Sequence, residues 1–143
     1  MNPFDEILKA AESINDIDIG KAIFSNPDIK KLIIKLNTEK QLFAEGVDAQ
    51  GKSLPLYSLK SKKKPNKPYD LKDTGDLYAS FTVSVDGAGN GVVEANYIKG
   101  KGFDLRKLTK SEFVGLTESS EAILQQEAEK IIKQFIIQSL NLW

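Results

Sequence analysis

Between Asp70 and Val85 the chain passes from a polar turn into an alternating pattern, and this change constrains the fold more than any other stretch. Asp73-Thr74-Gly75 is turn chemistry: the Asp and Thr side chains can bond nearby backbone, and Gly tolerates positive φ. From there Leu77, Ala79, Phe81, Val83 and Val85 alternate with Asp76, Tyr78, Ser80, Thr82 and Ser84. A period of two places each set on its own face, so the spacing predicts a half-buried strand over about 77–85. The residues before it read as helix or polar loop. Those after it can close a small sheet and cover it with one long helix.

Ahead of that stretch, Asn2 and Pro3 form a helix start, a capping side chain followed by Pro at the first helical position. Phe4, Ile7, Leu8 and Ala11 then share one stripe, which predicts a helix over about 3–14. Residues 15–26 fit either partial alternation or a short helix. Asn26-Pro27 repeats the cap-then-proline signal, and Ile29, Leu32, Ile33 and Leu36 follow at helical spacing. Thr38 with Gln41 three residues on resembles a capping box. Two readings are therefore open: one helix to Glu45, or a break at 37–38 and a restart. Gly46 stands where a C-terminal cap belongs. Residues 47–53 form a turn that lacks the further acidic ligands and closing Glu of a calcium loop.

Over 54–68 the composition shifts. Pro55, Pro65 and Pro68 disfavour regular structure, and Lys60, Lys62, Lys63, Lys64 and Lys67 make the one concentrated charge block. It reads as a flexible solvated loop, or as a contact for phosphate or an acidic partner. Only Tyr57 and Tyr69 flank it as stacking platforms.

Past the alternating stretch, 86–91 is a Gly-rich reversal. A phosphate cradle would need a helix after it, but a second strand over about 92–98 comes next, so this is a hairpin turn. A helical turn is expected near 104–108, with Leu105, Leu108 and Phe113 as anchors. Thr117 caps a final helix reaching about Leu140, and Leu124, Ala128, Ile131 and Phe135 form its buried stripe. Ile137, Leu140, Leu142 and Trp143 make an apolar end that either folds back on the core or meets another subunit. The expected fold is thus a single α+β domain over 1–143 with a flexible basic loop at about 54–69. It has N-terminal helices, a small antiparallel sheet with a central hairpin (about 77–98), and a long C-terminal helix packed on the sheet.

Cys and His are both absent, which removes thiolate metal sites, the commonest general base and every His-dependent triad. Lys plus Arg number 20 against 20 Asp plus Glu, so there is no basic excess of the kind nucleic-acid binders show. The first residues lack the pattern of a signal peptide, and no apolar run nears the ~20 residues of a membrane span. Asp70, Asp73 and Asp76 are the carboxylates a hydrolase or a Mg²⁺ or Ca²⁺ site would use, yet at a bend they read as turn-forming. No catalytic, cofactor or metal residue is assigned.

The order Thr74-Gly75-Asp76-Leu77-Tyr78-Ala79-Ser80 resembles the Thr-Gly-x-Leu-x-x-Ser turn-and-strand of small head–tail joining proteins of tailed bacteriophages, the virion-morphogenesis, tail-completion and minor tail proteins. There it leads to a hairpin, an irregular stretch, a Gly-Leu-Ser/Thr element and a C-terminal helix. Here Gly115-Leu116-Thr117 and the helix after it are similar, and the likeness spans about 70–137. A Gly-Thr or Pro-Arg cluster of such proteins is replaced by 99–110. The resemblance implies a structural part of the neck or tail, found in the virion and in the host cytoplasm during assembly. It implies a homo-oligomeric ring, phage structural proteins (neck, tail tube or connector) as partners, no cofactor, no enzymatic activity and no membrane. Candidate contact residues are Lys60, Lys62, Lys63, Lys64, Lys67 and Trp143, with the hairpin 81–97 as a second face. Two other readings compete: a nucleic-acid-contacting adaptor using Lys60–Lys67, and a carboxylate-dependent hydrolase.

Overall fold

A computed structural model describes residues 16–57, 66–72, 75–99 and 102–140 of the chain. The helix expected over 3–14 lies outside them. Residues 16–25, which fitted two patterns, form α1 (Asp16–Ser25), with Asp16 and Asp18 at the positive end of its dipole. The chain turns at Asn26, whose Oδ1 accepts from the backbone N–H of Asp28 at 2.9 Å and of Ile29 at 3.2 Å. That cap and Pro27 start α2 (Pro27–Lys35).

α2 does not break at 37–38. It widens into a π-helical segment, Leu36–Glu45, closed by Gly46 at φ 64°. Thr38 is no cap, because its Oγ1 donates to the Ile34 carbonyl at 2.7 Å, inside a continuous helix. The wider turn brings Leu36, Asn37, Thr38, Gln41 and Leu42 all to the buried side. Two buried faces thus alternate with Glu39, Lys40 and the exposed Phe43.

The strand expected over 77–85 forms only in its second half. Asp76–Ala79 is a helical turn, α3, entered through Gly75 at φ 92°. Ser80 Oγ donates to the Leu77 carbonyl at 2.6 Å and closes that turn. Strand β1 (Thr82–Val85) then pairs antiparallel with β2 (Gly91–Glu94), Val83 opposite Val93. Between them Asp86 accepts from the backbone N–H of Ala88 and of Asn90, each at 2.9 Å. Those bonds, the Asn90 one foremost, hold its carboxyl below the usual carboxylate range. The second expected strand is divided: β2 ends at Glu94, and β3 (Ile98–Lys99) pairs with β4 (Phe103–Asp104) as a separate two-stranded ribbon. The short α4 (Leu105–Thr109) comes next, and then α5 (Glu118–Leu140). Of the three expected anchors, Leu105 and Phe113 are buried, while Leu108 is exposed because α4 turns Leu105 and Thr109 inward instead.

The architecture is mixed α+β: N-terminal helices, small antiparallel strand pairs and a long C-terminal helix. One apolar cluster joins Leu42, Leu54, Leu77, Phe81, Leu105, Phe113 and Val114. A second joins Ile23, Ile29 and Ile33 of α1 and α2 with Val83 of the hairpin and Ala128 of α5. Ile34 and Val93 pack against both clusters and make them one continuous core.

The hairpin tip docks on α1 backbone to backbone. A Cβ on Gly20 would lie 1.9 Å from the Gly89 carbonyl oxygen, and one on Gly91 would lie 2.5 Å from the Phe24 ring. The glycines of the reversal therefore serve close approach as well as the turn. Gly20→Ala sets about 1 kcal/mol of helix propensity against an overlap with backbone that cannot give way. The overlap wins, and unfolding by urea should show a net loss of about 2 kcal/mol. Gly87→Ala, with nothing within 4 Å of its Cβ, should stay within about 0.5 kcal/mol of the parent.

Candidate functional site

The described residues of the two resembling motifs each have a structural task. Gly75 supplies the left-handed entry to α3, and Leu77 goes into the core. Ser80 Oγ, besides donating to Leu77, accepts from the Asn96 N–H at 2.9 Å and so ties the turn to the exit of the hairpin. Thr74 lies outside the described residues.

The second motif is held by two buried side-chain amides. Asn37 Nδ2 donates to the Phe113 carbonyl at 2.9 Å, and Asn37 Oδ1 accepts from the Gly115 N–H at 2.7 Å. Gln41 Nε2 donates to the Gly115 carbonyl at 2.8 Å, and Gln41 Oε1 accepts from the Thr117 N–H at 2.9 Å. Backbone groups at 113, 115 and 117 are thus paired in turn, as a neighbouring strand would pair them. Both amides are 0% exposed. Gly115 sits at φ 138°, and its Cβ would lie 3.2 Å from the Ala49 Cβ. Thr117 then caps α5: its Oγ1 accepts from the Ser120 N–H at 3.3 Å. Leu116 is half-buried against the second cluster. Neither Asn37 nor Gln41 is among the sequence-predicted site residues. Their only signal was two amide side chains spaced four apart on a face otherwise apolar.

At the base of the basic loop the two arms pair, Leu56 bridging to Pro68 and the Tyr57 N–H donating to the Lys67 carbonyl at 2.7 Å. Lys67 is exposed. Lys60, Lys62, Lys63, Lys64 and Trp143 lie outside the described residues. Tyr57 and Tyr69 pack edge to face at 4.7 Å, so each ring has the other as a neighbour. Asp70 is buried, and its Oδ1 accepts from Tyr57 OH at 2.8 Å and from the Lys72 N–H at 2.9 Å. Tyr78 OH donates to the Asp70 carbonyl, and these bonds flank Leu71 in its left-handed conformation at φ 59°. Burial, and then the bond to Asp70, push the Tyr57 phenol up to about 12. Burial and the Asp70 charge raise Tyr78 as well.

Asp70 and Asp76 do not converge: Asp70 faces inward, Asp76 is exposed in the first turn of α3, and Asp73 lies outside the described residues. Carboxylates here hold backbone. Asp48 accepts from the N–H of Gln50 and Lys52, Asp86 from Ala88 and Asn90, Asp104 from Arg106, and Glu112 from Val114. Among the described residues no group of three or more acidic side chains could hold a metal ion, and no helix is long and apolar enough to cross a membrane. Arg106 lies over the Tyr97 ring at 4.1 Å and pairs with Asp104 at 2.8 Å, and Tyr97 OH donates to Glu112 at 2.6 Å. Burial, with the bond to Glu112, raises the Tyr97 phenol.

No protein-family model matches the chain, and no curated protein or solved structure matches it at the threshold for significant similarity.

Gln41→Ala strands the Gly115 carbonyl and the Thr117 N–H in the interior, so urea unfolding should show a loss of about 3 kcal/mol or more. Removing the half-buried ammonium nearby with Lys40→Met, which loses its bonds to Glu45, Ser119 and Ser120, should cost less, about 1 kcal/mol. For Tyr57 the folded phenol is raised above its ordinary 10.0, so the fold favours the protonated form. That contribution is fully present below pH 10 and is lost as the pH rises toward 12. Tyr57→Phe should flatten the fall in unfolding free energy over that interval.

Proposed function

We propose that the chain is a structural protein of the neck or tail of a tailed bacteriophage, acting in head–tail joining or tail completion through contacts between proteins. The observation that carries this reading is the use made of the resembling positions. Gly75, Leu77 and Ser80 set the corner from which the hairpin leaves. Gly115 and Thr117 set the corner from which the last helix leaves. Residues that shape a scaffold in this way are what a family of assembly proteins would share, since its members must keep surfaces in register. The commitment of Asp48, Asp86, Asp104 and Glu112 to backbone amides supports it further, because these carboxylates hold turns of the scaffold.

The exposed apolar side chains favour contact as well. Ile98, Phe103 and Leu108 lie within eleven residues on the ribbon and α4, exposed by 48%, 50% and 37%. A ring built from identical subunits needs head-to-tail contacts, in which two different faces match. Native mass measurement over a range of concentrations, with negative-stain microscopy, should find closed oligomers in multiples of the 15.8 kDa subunit. A strict monomer whose DNA binding falls steeply with salt would replace this reading with the adaptor.

A further inference from the structure

The chain has no net charge, yet its charge is sorted along the sequence. Residues 98–110 carry five basic side chains and one acidic. Residues 118–129 carry four glutamates and no basic side chain. Among the described residues of both segments, most of the charged side chains are exposed. On α4, Leu105 and Thr109 turn inward while Arg106, Lys107 and Leu108 are exposed, with Lys110 just beyond them. On the ribbon, Lys99 and Phe103 are cross-strand partners and so share a face, and both are exposed. On α5, Glu118, Glu121, Gln125 and Glu129 recur every three or four residues and are exposed. That stripe leads into the half-buried Ile132 and Ile136. Lys107 and Lys110, and likewise Glu118, Glu121 and Glu129, have no ion pair among the described residues.

We infer that the basic, apolar flap formed by β3, β4 and α4 docks on the acidic stripe of α5 of a second copy of the chain. Charge complementarity selects the occupant. Each surface carries the opposite sign to the other and both belong to one neutral chain, so a second copy satisfies both at once. A nucleic acid could take the flap but would leave the glutamates without a role. Exposed Phe103 and Leu108 supply apolar area among the cations, as the half-buried isoleucines do beyond the glutamates. Because the two surfaces differ, the contact is heterologous and propagates head to tail, closing into a ring where the rotation allows. The inference rests on the assembly reading and names its contact.

The test is self-association of the full chain by sedimentation velocity, at salt from about 0.05 to 0.5 M, across which screening of exposed charges becomes severe. Three variants accompany the parent: Lys107→Glu with Lys110→Glu, Glu121→Lys with Glu129→Lys, and all four together. The parent should associate, and less so at high salt. Each two-site reversal should weaken association about tenfold or more, since like charges are then brought face to face. The four-site variant, and an equal mixture of the two reversed proteins, should recover it. Circular dichroism and thermal unfolding identify any variant that fails to fold. In that case Lys107→Gln with Lys110→Gln and Glu121→Gln with Glu129→Gln take its place, each expected to weaken association. A parent that stays monomeric sinks the contact and the ring together. Association untouched by either reversal, or lost with the lysines alone, sinks this contact and leaves the ring standing.

Discussion

Two uncharged side chains, Asn37 and Gln41, hold the C-terminal third of the molecule to its N-terminal helices. Each amide offers one donor and one acceptor to a stretch of backbone that has no strand beside it. Both amide side chains are fully buried, so a missing partner would cost desolvation of the group left behind. Phe113, wholly buried in the first apolar cluster, and Thr117, which starts α5, sit at the two ends of the clamped stretch. The clamp therefore fixes both an anchor of the core and the direction of the last helix. The π-helical widening belongs to the same arrangement. It brings residues 37 and 41 to the buried side together, along with Leu36 and Leu42.

Contact between α1 and the hairpin is of another kind. It uses absence of side chains: Gly20 and Gly89 meet backbone to backbone, and Gly91 leaves room for the Phe24 ring. With the tip seated on α1, Val83 comes into one cluster with Ile23, Ile29 and Ala128, so hairpin and last helix share a core through the N-terminal helices. A hairpin of only four residues on each side would be marginal alone. Here that seat and the shared cluster support it.

The features that were legible before the structure are those written in local chemistry: the Asn26-Pro27 cap, the reversal at 86–91, the Thr117 cap and, in part, the apolar stripe of α5, where Ala128 is buried and Leu124, Ile131 and Phe135 are half-buried. The strand expected from Leu77 was legible only in part, for a geometric reason. Positions 77 and 81 fall on the same side whether the period is two or close to four, so Leu77 and Phe81 are buried under either pattern. Ala79 is the residue that separates them, and it is exposed. Asn37 and Gln41 were hidden because amides on a helix ordinarily face water, and because Thr38 with Gln41 imitates a cap. Of the candidate site, the bends at Gly75 and Gly115 could be read from turn chemistry and order, whereas their partners lie far away in the chain and leave no local mark.

The distribution of charge reflects the same economy of roles. Carboxylates at turns are engaged locally, each by the N–H groups of the next few residues. Exposed charge of opposite sign also sits on two separate elements, Lys107 and Lys110 on and just after α4, and Glu118, Glu121 and Glu129 along the first half of α5. Glu118 and Glu121 also complement the positive end of that helix. Glu129, in its fourth turn, is beyond that help, because the dipole's effect fades within the first turn. Its exposure beside Gln125, with apolar residues beyond it, is a surface property and calls for a surface explanation. In a neutral molecule nothing opposes association at long range, so opposite patches of this size can steer one copy toward another before any apolar contact is made. In the contact we infer, the apolar side chains within and beside them would then govern how long the encounter lasts.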